Sequence, residues 1–457
     1  MPGFVGTTLP SWLEARLRDG LGGICLFGEN IESPEQVRAL TDAIRAANPL
    51  ALIAIDEEGG DVTRLHHLTG SPYPGNALLG RIDDHDLTAE VGRSVARELR
   101  AVGVNLNFAP DADINSNPDN PVIGVRSFGA DPETVSAHVA TWVVAHEKEG
   151  VAVSAKHFPG HGDTAQDSHL SLPVVDRSLE ELMERELRPF VAAAQAGARS
   201  IMTSHVLLPQ LDHVPATFSR VILQDVLRGD LGYAGVIVSD ALDMVGASGE
   251  IGIPAAAVRA IAAGCDLLCI GTKNTDEQLE AIGAALAAAV ADGTLPQARL
   301  DDAVARNRAL AEGLAGPLAT TSDAVPEFDI DRAIAAFDVA EDLVLEPGAD
   351  ILTLETVANI AVGASPWGPA AAGAETTPVF SADEIEISGR AVVLVGKDNH
   401  RHEWTRAAID RAREQNPSVV VVDMGWPSPD RAYADIATFG ASQYAGRALL
   451  KLLGTPS

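Results

Sequence analysis

Short apolar runs recur along the chain, each ending abruptly in polar or charged residues and each followed by a segment with helical periodicity. Residues 22–27 end at Gly28-Glu29-Asn30, and Ser33-Pro34-Glu35-Gln36 then supplies an N-cap, a proline in the first turn and a capping glutamine. Residues 52–55 end at Asp56, 104–108 stop before Asp111 and Asp113, and 151–155 end at Lys156. Residues 200–203 stop near His205, 236–239 at Asp240, and 266–270 at Gly271-Thr272-Lys273. Among the intervening helical patterns the clearest is 178–196, opened by Ser178 with Glu181 and stopped by Gly197. Unbroken apolar strands alternating with helices predict a parallel sheet covered on both faces. An open doubly wound sheet satisfies that pattern. Polar residues at the C-terminal end of nearly every strand favour a (β/α)8 TIM-type barrel, which gathers its chemistry on that face. A barrel needs eight strands and seven runs are present, so the first strand is expected to be missing or to lie upstream of Met1.

The pattern changes near position 319. Residues 1–318 are expected to form the barrel, 319–380 a linker and irregular segment whose stretch 366–378 is rich in Ala, Gly and Pro, and 381–457 a small α/β domain. The last contains strand-like runs at 391–395 and 419–424 and helical patterns at 404–415 and 442–453. No catalytic signature stands out in it, and a packing or homo-oligomer role is expected.

Composition narrows the function. The 457 residues suffice for a sizeable core, and 46% of them are hydrophobic. Against 33 Lys and Arg stand 64 Asp and Glu, a net charge of −31, which repels polyphosphate and anionic lipid and argues against nucleic-acid or membrane partners. Cys25, Cys265 and Cys269 imply no disulfide framework. The first residues lack the charged-then-apolar pattern of an export signal, so the cytoplasm is the expected compartment.

Chemistry concentrates in 151–169, where an apolar strand gives way at Lys156 to His157, His161, Asp163, Asp167 and His169, punctuated by Pro159, Gly160 and Gly162. A solvated loop is one reading. Metal binding through His157 and His161 is another, although the glycines and proline oppose the helix that would align them. The third is acid–base chemistry, with Asp167 holding the His169 imidazole in one tautomer.

The run Lys156-His157-Phe158-Pro159-Gly160-His161-Gly162, with Asp167-Ser168-His169, resembles the signature loop of glycoside hydrolase family 3 in its β-N-acetylglucosaminidase branch. The resemblance implies a barrel followed by an α/β sandwich, and it implies roles. Ser239-Asp240-Ala241-Leu242 is similar to the segment bearing the family's nucleophile, which makes Asp240 the residue that attacks the anomeric carbon. A bare reading of Asp240 is a helix cap, and Asp243 is its nearest rival. By the same resemblance His169 is the acid/base and Asp167 its partner. Asp56 and Arg64, in the run from Ile55 to Arg64, resemble sugar-binding positions, with Asp61 standing where relatives often have Arg. Arg126, Lys156 and His157 are implied as further ligands, although Arg126 alone would read as a surface ion pair and the acids around Asp56 as a solvated edge. His205 and Asp113 are supporting candidates.

The implied function is a retaining exo-β-N-acetylglucosaminidase acting on a small carbohydrate, muropeptides or chitin oligosaccharides, as in peptidoglycan recycling, with no metal or organic cofactor. Two rivals stand beside it. One is an N-acetylglucosaminide phosphorylase, since a neutral imidazole does not repel phosphate. The other is a non-catalytic saccharide-binding barrel.

Overall fold

The computed structural model describes residues 1–166, 172–249, 251–316, 325–387 and 391–455. The chain packs as two compact units. The first comprises Met1–Glu57, His85–Ile114 and the described part of Asp131–Ala324; the second comprises Glu58–Asp84, Asn115–Ala130 and the described part of Val325–Ser457.

All seven expected strands form in the first unit: β1 Gly23–Leu26, β2 Leu52–Ile55, β3 Leu106–Asn107, β4 Ala152–Phe158, β5 Ser200–Thr203, β6 Val236–Ser239 and β7 Leu267–Leu268. They pair in chain order, every pair parallel. Side chains of Cys25, Leu52, Ala54, Phe108, Val238 and Cys269 share one buried cluster. These runs are apolar throughout because neither face meets water.

The expectation of a gap at the first strand meets a specific answer. Residues 1–3 lie between β1 and the β7 end. Cys25 N donates to Pro2 O at 3.1 Å, Ile270 N to Met1 O at 3.2 Å, and Gly3 N to Gly271 O at 2.8 Å. Residues 1–3 thus join β1 and the segment after β7 through backbone hydrogen bonds.

The helical pattern at 178–196 is two helices, Leu179–Glu184 and Arg188–Gln195. The Ser178–Glu181 capping box is present, with Glu181 N donating to Ser178 Oγ at 3.2 Å. Pro189 explains the break, because its ring clashes with the carbonyl four residues earlier, at Arg185.

The second unit holds a six-stranded sheet made of β8 Asp338–Val339, β9 Asp350–Leu354, β10 Thr377–Val379, β11 Val392–Gly396, β12 Val420–Asp423 and β13 Ile436–Ala437. Its order is β10-β9-β11-β12-β13-β8, parallel except where β8 runs against β13. Strands β8, β9 and β10 come from 319–380, expected as linker. They are two to five residues long, too short for a period-2 pattern to rise above the surrounding Ala, Gly and Pro. Helix Gln443–Leu452 is capped by Ser442 Oγ, which accepts from Ala445 N at 3.2 Å. All three cysteines are buried and unbridged, and no helix among the described residues is long and apolar enough to cross a membrane.

Candidate active site

Parallel pairing puts the C-terminal ends of β2, β3, β4 and β6 on one rim of the first unit, and the polar residue ending each run is therefore delivered to the same place. At the tip of β4, Lys156 is buried and its Nζ lies 2.7 Å from Asp56 Oδ1, one residue past β2. Removing an ammonium and a carboxylate from water together is tolerable because each cancels the other's charge.

Asp113 is the hub of the loop that follows. Its Oδ2 accepts from His157 Nδ1 at 2.7 Å, and its Oδ1 accepts from His161 N at 2.6 Å. Asp111 in turn accepts from Asp113 N at 2.9 Å. Burial alone would raise the Asp113 carboxyl, but the neighbouring His157 and His161 and their hydrogen bonds hold it below the ordinary carboxylate range. The His157 ring is thus oriented through Nδ1. His161 is the opposite case: burial pushes its imidazole down to about 4, so it is neutral at physiological pH.

The ligand atoms of Asp111, Asp113 and His157 lie within 4.8 Å of one another. Two ligands of one tetrahedral zinc sit about 3.3 Å apart, whereas His157 and Asp113 are at hydrogen-bond distance. The arrangement as it stands fixes a tautomer. Asp163 does different work from the one its place in the loop suggested. Its Oδ2 accepts from Arg177 Nε at 3.1 Å and from an Arg185 guanidinium nitrogen at 2.7 Å, clasping the loop's base to the segment beyond it. Asp167 and His169 lie outside the described residues.

Asp240 follows β6 and is half-buried. Its Oδ1 accepts from Ala241 N at 2.7 Å, and its own N donates to Thr203 Oγ1 at 3.4 Å. Thr203 Oγ1 lies 2.7 Å from Thr217 Oγ1, which is 3.0 Å from His205 Nδ1. His205 Nε2 closes the circuit at 3.0 Å from Ala241 O. This ring of buried groups holds the backbone on both sides of Asp240, and only His205 was a candidate from sequence. Thr203 and Thr217 carry no local signal, since a threonine in an apolar run reads as packing. The Asp240 charge acts to raise the His161 imidazole against burial, so the β6 tip and the β4 loop share one electrostatic neighbourhood. Asp243 is exposed and accepts from Thr272 N at 3.1 Å.

Two expected site residues fall in the second unit. Arg126 is buried and pairs in a bidentate way with Glu58, at 3.1 Å from Nε and 2.8 Å from a terminal nitrogen. Arg64 donates to Val362 O at 2.9 Å and to Ala361 O at 2.8 Å.

The family model described as glycosyl hydrolase family 3 N terminal domain matches residues 11–310. A β-hexosaminidase A from Pseudoalteromonas piscicida is 38% identical over 327 residues, covering 66% of this chain and 55% of that protein, so the chain spans about half of that relative. A solved family 3 β-N-acetylglucosaminidase from Paenibacillus sp. str. FPU-7 is 32% identical, with a TM-score of 0.88 over 99% of this chain and 94% of that one. NagZ from Neisseria gonorrhoeae, solved with N-trifluoroacetyl-D-glucosamine, is 34% identical, with a TM-score of 0.54 over 69% of this chain and 97% of that one.

Proposed function

The chain belongs to glycoside hydrolase family 3, and from that premise we propose that it is a β-N-acetylglucosaminidase, a retaining exo-acting enzyme that removes terminal N-acetylglucosamine from muropeptides or chitin oligosaccharides. Its β-hexosaminidase relatives support the reaction class. The observation that carries the reading is Asp240, a carboxylate held by flanking main-chain contacts at a strand tip, within electrostatic reach of the loop that leads to Asp167 and His169.

In the first step an Asp240 carboxylate oxygen bonds to the anomeric carbon as the glycosidic C–O bond breaks, and His169 gives its proton to the leaving oxygen. In the second, water attacks that carbon, its proton passes to His169, and the bond to Asp240 breaks. Asp167 keeps the imidazole in the productive tautomer. Asp56 and Lys156 offer an acceptor and a donor for sugar hydroxyls, and His157 adds a nitrogen oriented by Asp113.

Release of nitrophenol from a nitrophenyl N-acetyl-β-glucosaminide, followed with and without phosphate, tests this reading. Free N-acetylglucosamine without phosphate is the expected product. A strict phosphate requirement with a sugar 1-phosphate product would establish a phosphorylase instead. Equal background release by the natural chain and by Asp240→Asn would leave only a binding barrel.

A further inference from the structure

The second unit contains a crevice whose cations after β11 the glycosidase reading does not use. In its sheet the parallel strands run in the order β10-β9-β11-β12-β13. From β9 the chain crosses to β10 on one side, while β11 leads to β12 on the other. The loops leaving the C-terminal ends of β9 and β11 therefore diverge, and a parallel α/β sheet opens a ligand crevice where its connections diverge in this way. A cavity of about 330 Å³ sits there, walled by Thr356 and Asn359 after β9, by Lys397, Arg401 and His402 after β11, and by Gly425 after β12. That volume suits a ligand no larger than a sugar acid.

The polar capacity of this cavity is lopsided. Its acids are already engaged: Asp398 Oδ1 accepts from Trp426 N at 2.9 Å, and Asp61 Oδ1 accepts from Ala441 N at 2.8 Å. Burial also pushes Asp61 above the ordinary carboxylate range, with Lys397 opposing the shift. Arg126, on the same wall, is committed to Glu58. Lys397 and Arg401 are engaged less fully. Lys397 Nζ sits 4.7 Å from the Trp367 ring centroid, and among the described residues no carboxylate lies within ion-pair distance of it. Arg401 donates one guanidinium nitrogen to Pro118 O at 2.8 Å and stands 3.7 Å from Asp398, while its buried Nε has no acceptor. A buried donor without an acceptor costs free energy that a ligand can return.

We propose that the crevice between the β9 and β11 loops binds a small oxyanion, a carboxylate or phosphate group, held by Lys397 and Arg401. The two sources of that chemistry are a free anion and an acidic group borne by a sugar. The proposal goes beyond the glycosidase reading and does not rest on it.

Calorimetric titration of the full chain tests it, with inorganic phosphate and N-acetylmuramic acid as separate probes and methyl α-mannoside as the neutral control. At least one acidic probe binds, and binding weakens as salt rises from about 0.05 to about 0.5 M. Lys397→Met and Arg401→Met each weaken it about tenfold, while Lys397→Arg retains most of it, which separates lost recognition from lost folding. Saturation by phosphate identifies a free anion as the source; binding of the sugar acid alone identifies a ligand-borne carboxylate. Asp240→Asn binds the probes as the natural chain does, so failure of the hydrolase reading leaves this test intact. No binding of either acid, equal binding of the neutral sugar, or binding unchanged in both methionine variants overturns the proposal.

Discussion

At the strand tips of the first unit, Lys156 meets Asp56 and His157 meets Asp113, each pair at 2.7 Å; at the tips of β11 and β12 in the second, Lys397 faces an aromatic ring and Arg401 buries an unanswered Nε. Asp423, ending β12, accepts main-chain N–H groups from Asp398, Asn399 and Gly425 at 2.8, 3.0 and 2.8 Å. Burial and the like charge of Asp398 push its carboxyl up to about 7. Both regions are parallel-strand tips carrying ionisable groups, yet one is internally neutralised and the other keeps donors in reserve. Paired groups hold one geometry before any ligand arrives, as chemistry on a sugar ring requires. Unspent donors do the reverse and draw their partner from the ligand.

The comparison is tested hardest at Asp240. Asp240→Asn lowers kcat on an aryl N-acetylglucosaminide about a thousandfold or more with KM little changed, as expected for a group that acts in the transition state. An undiminished kcat would remove the first unit's claim to a reacting carboxylate. Next in size, Asp113→Ala strands His157 Nδ1 and His161 N inside the fold, and urea unfolding registers a loss of about 3 kcal/mol. Its steady-state kinetics show KM rising, because His157 is no longer held.

Acid sensitivity sharpens the contrast through its sign. Burial pushes His146 and His161 down to about 4, below their unfolded value. Their contribution is present above the unfolded pKa and is lost as pH falls from about 6.5 to about 4, by about 3 kcal/mol for each at full effect. Asp423 has the opposite sign, its contribution being lost as pH rises from the ordinary carboxylate range through about 7. Melting curves of His146→Gln and Asp423→Asn across this range change the pH slope in opposite senses; slopes that move together would break the distinction. The smallest effects come from side chains that are not buried. Lys397→Met changes unfolding free energy by less than about 1 kcal/mol, and Asp243→Asn changes kcat/KM by less than about threefold.

Much of the first unit was legible in the chain. The seven apolar runs became β1 to β7, and the Ser178–Glu181 cap formed as read. The β4 loop, with the strand tips at Asp56 and Asp240, carried enough local pattern to name a family. The second unit was less legible. Its strands β8 to β10 are too brief for periodicity to reveal, and Arg126 showed no sign in sequence that Glu58 would hold it.

By itself the sequence determined the strand–helix alternation, the polar character of each strand tip and the membership in family 3, because each rests on residues close together in the chain. Tertiary structure alone decided that Asp113 would serve His157 and His161 from 44 and 48 positions away. It also decided that Thr203 and Thr217 would brace Asp240, that residues 1–3 would occupy the seam of the first sheet, and that loops after β9 and β11 would open a crevice. Hydrogen-bond partners of this kind are set by which strands lie side by side and in what register, and no local periodicity encodes that order.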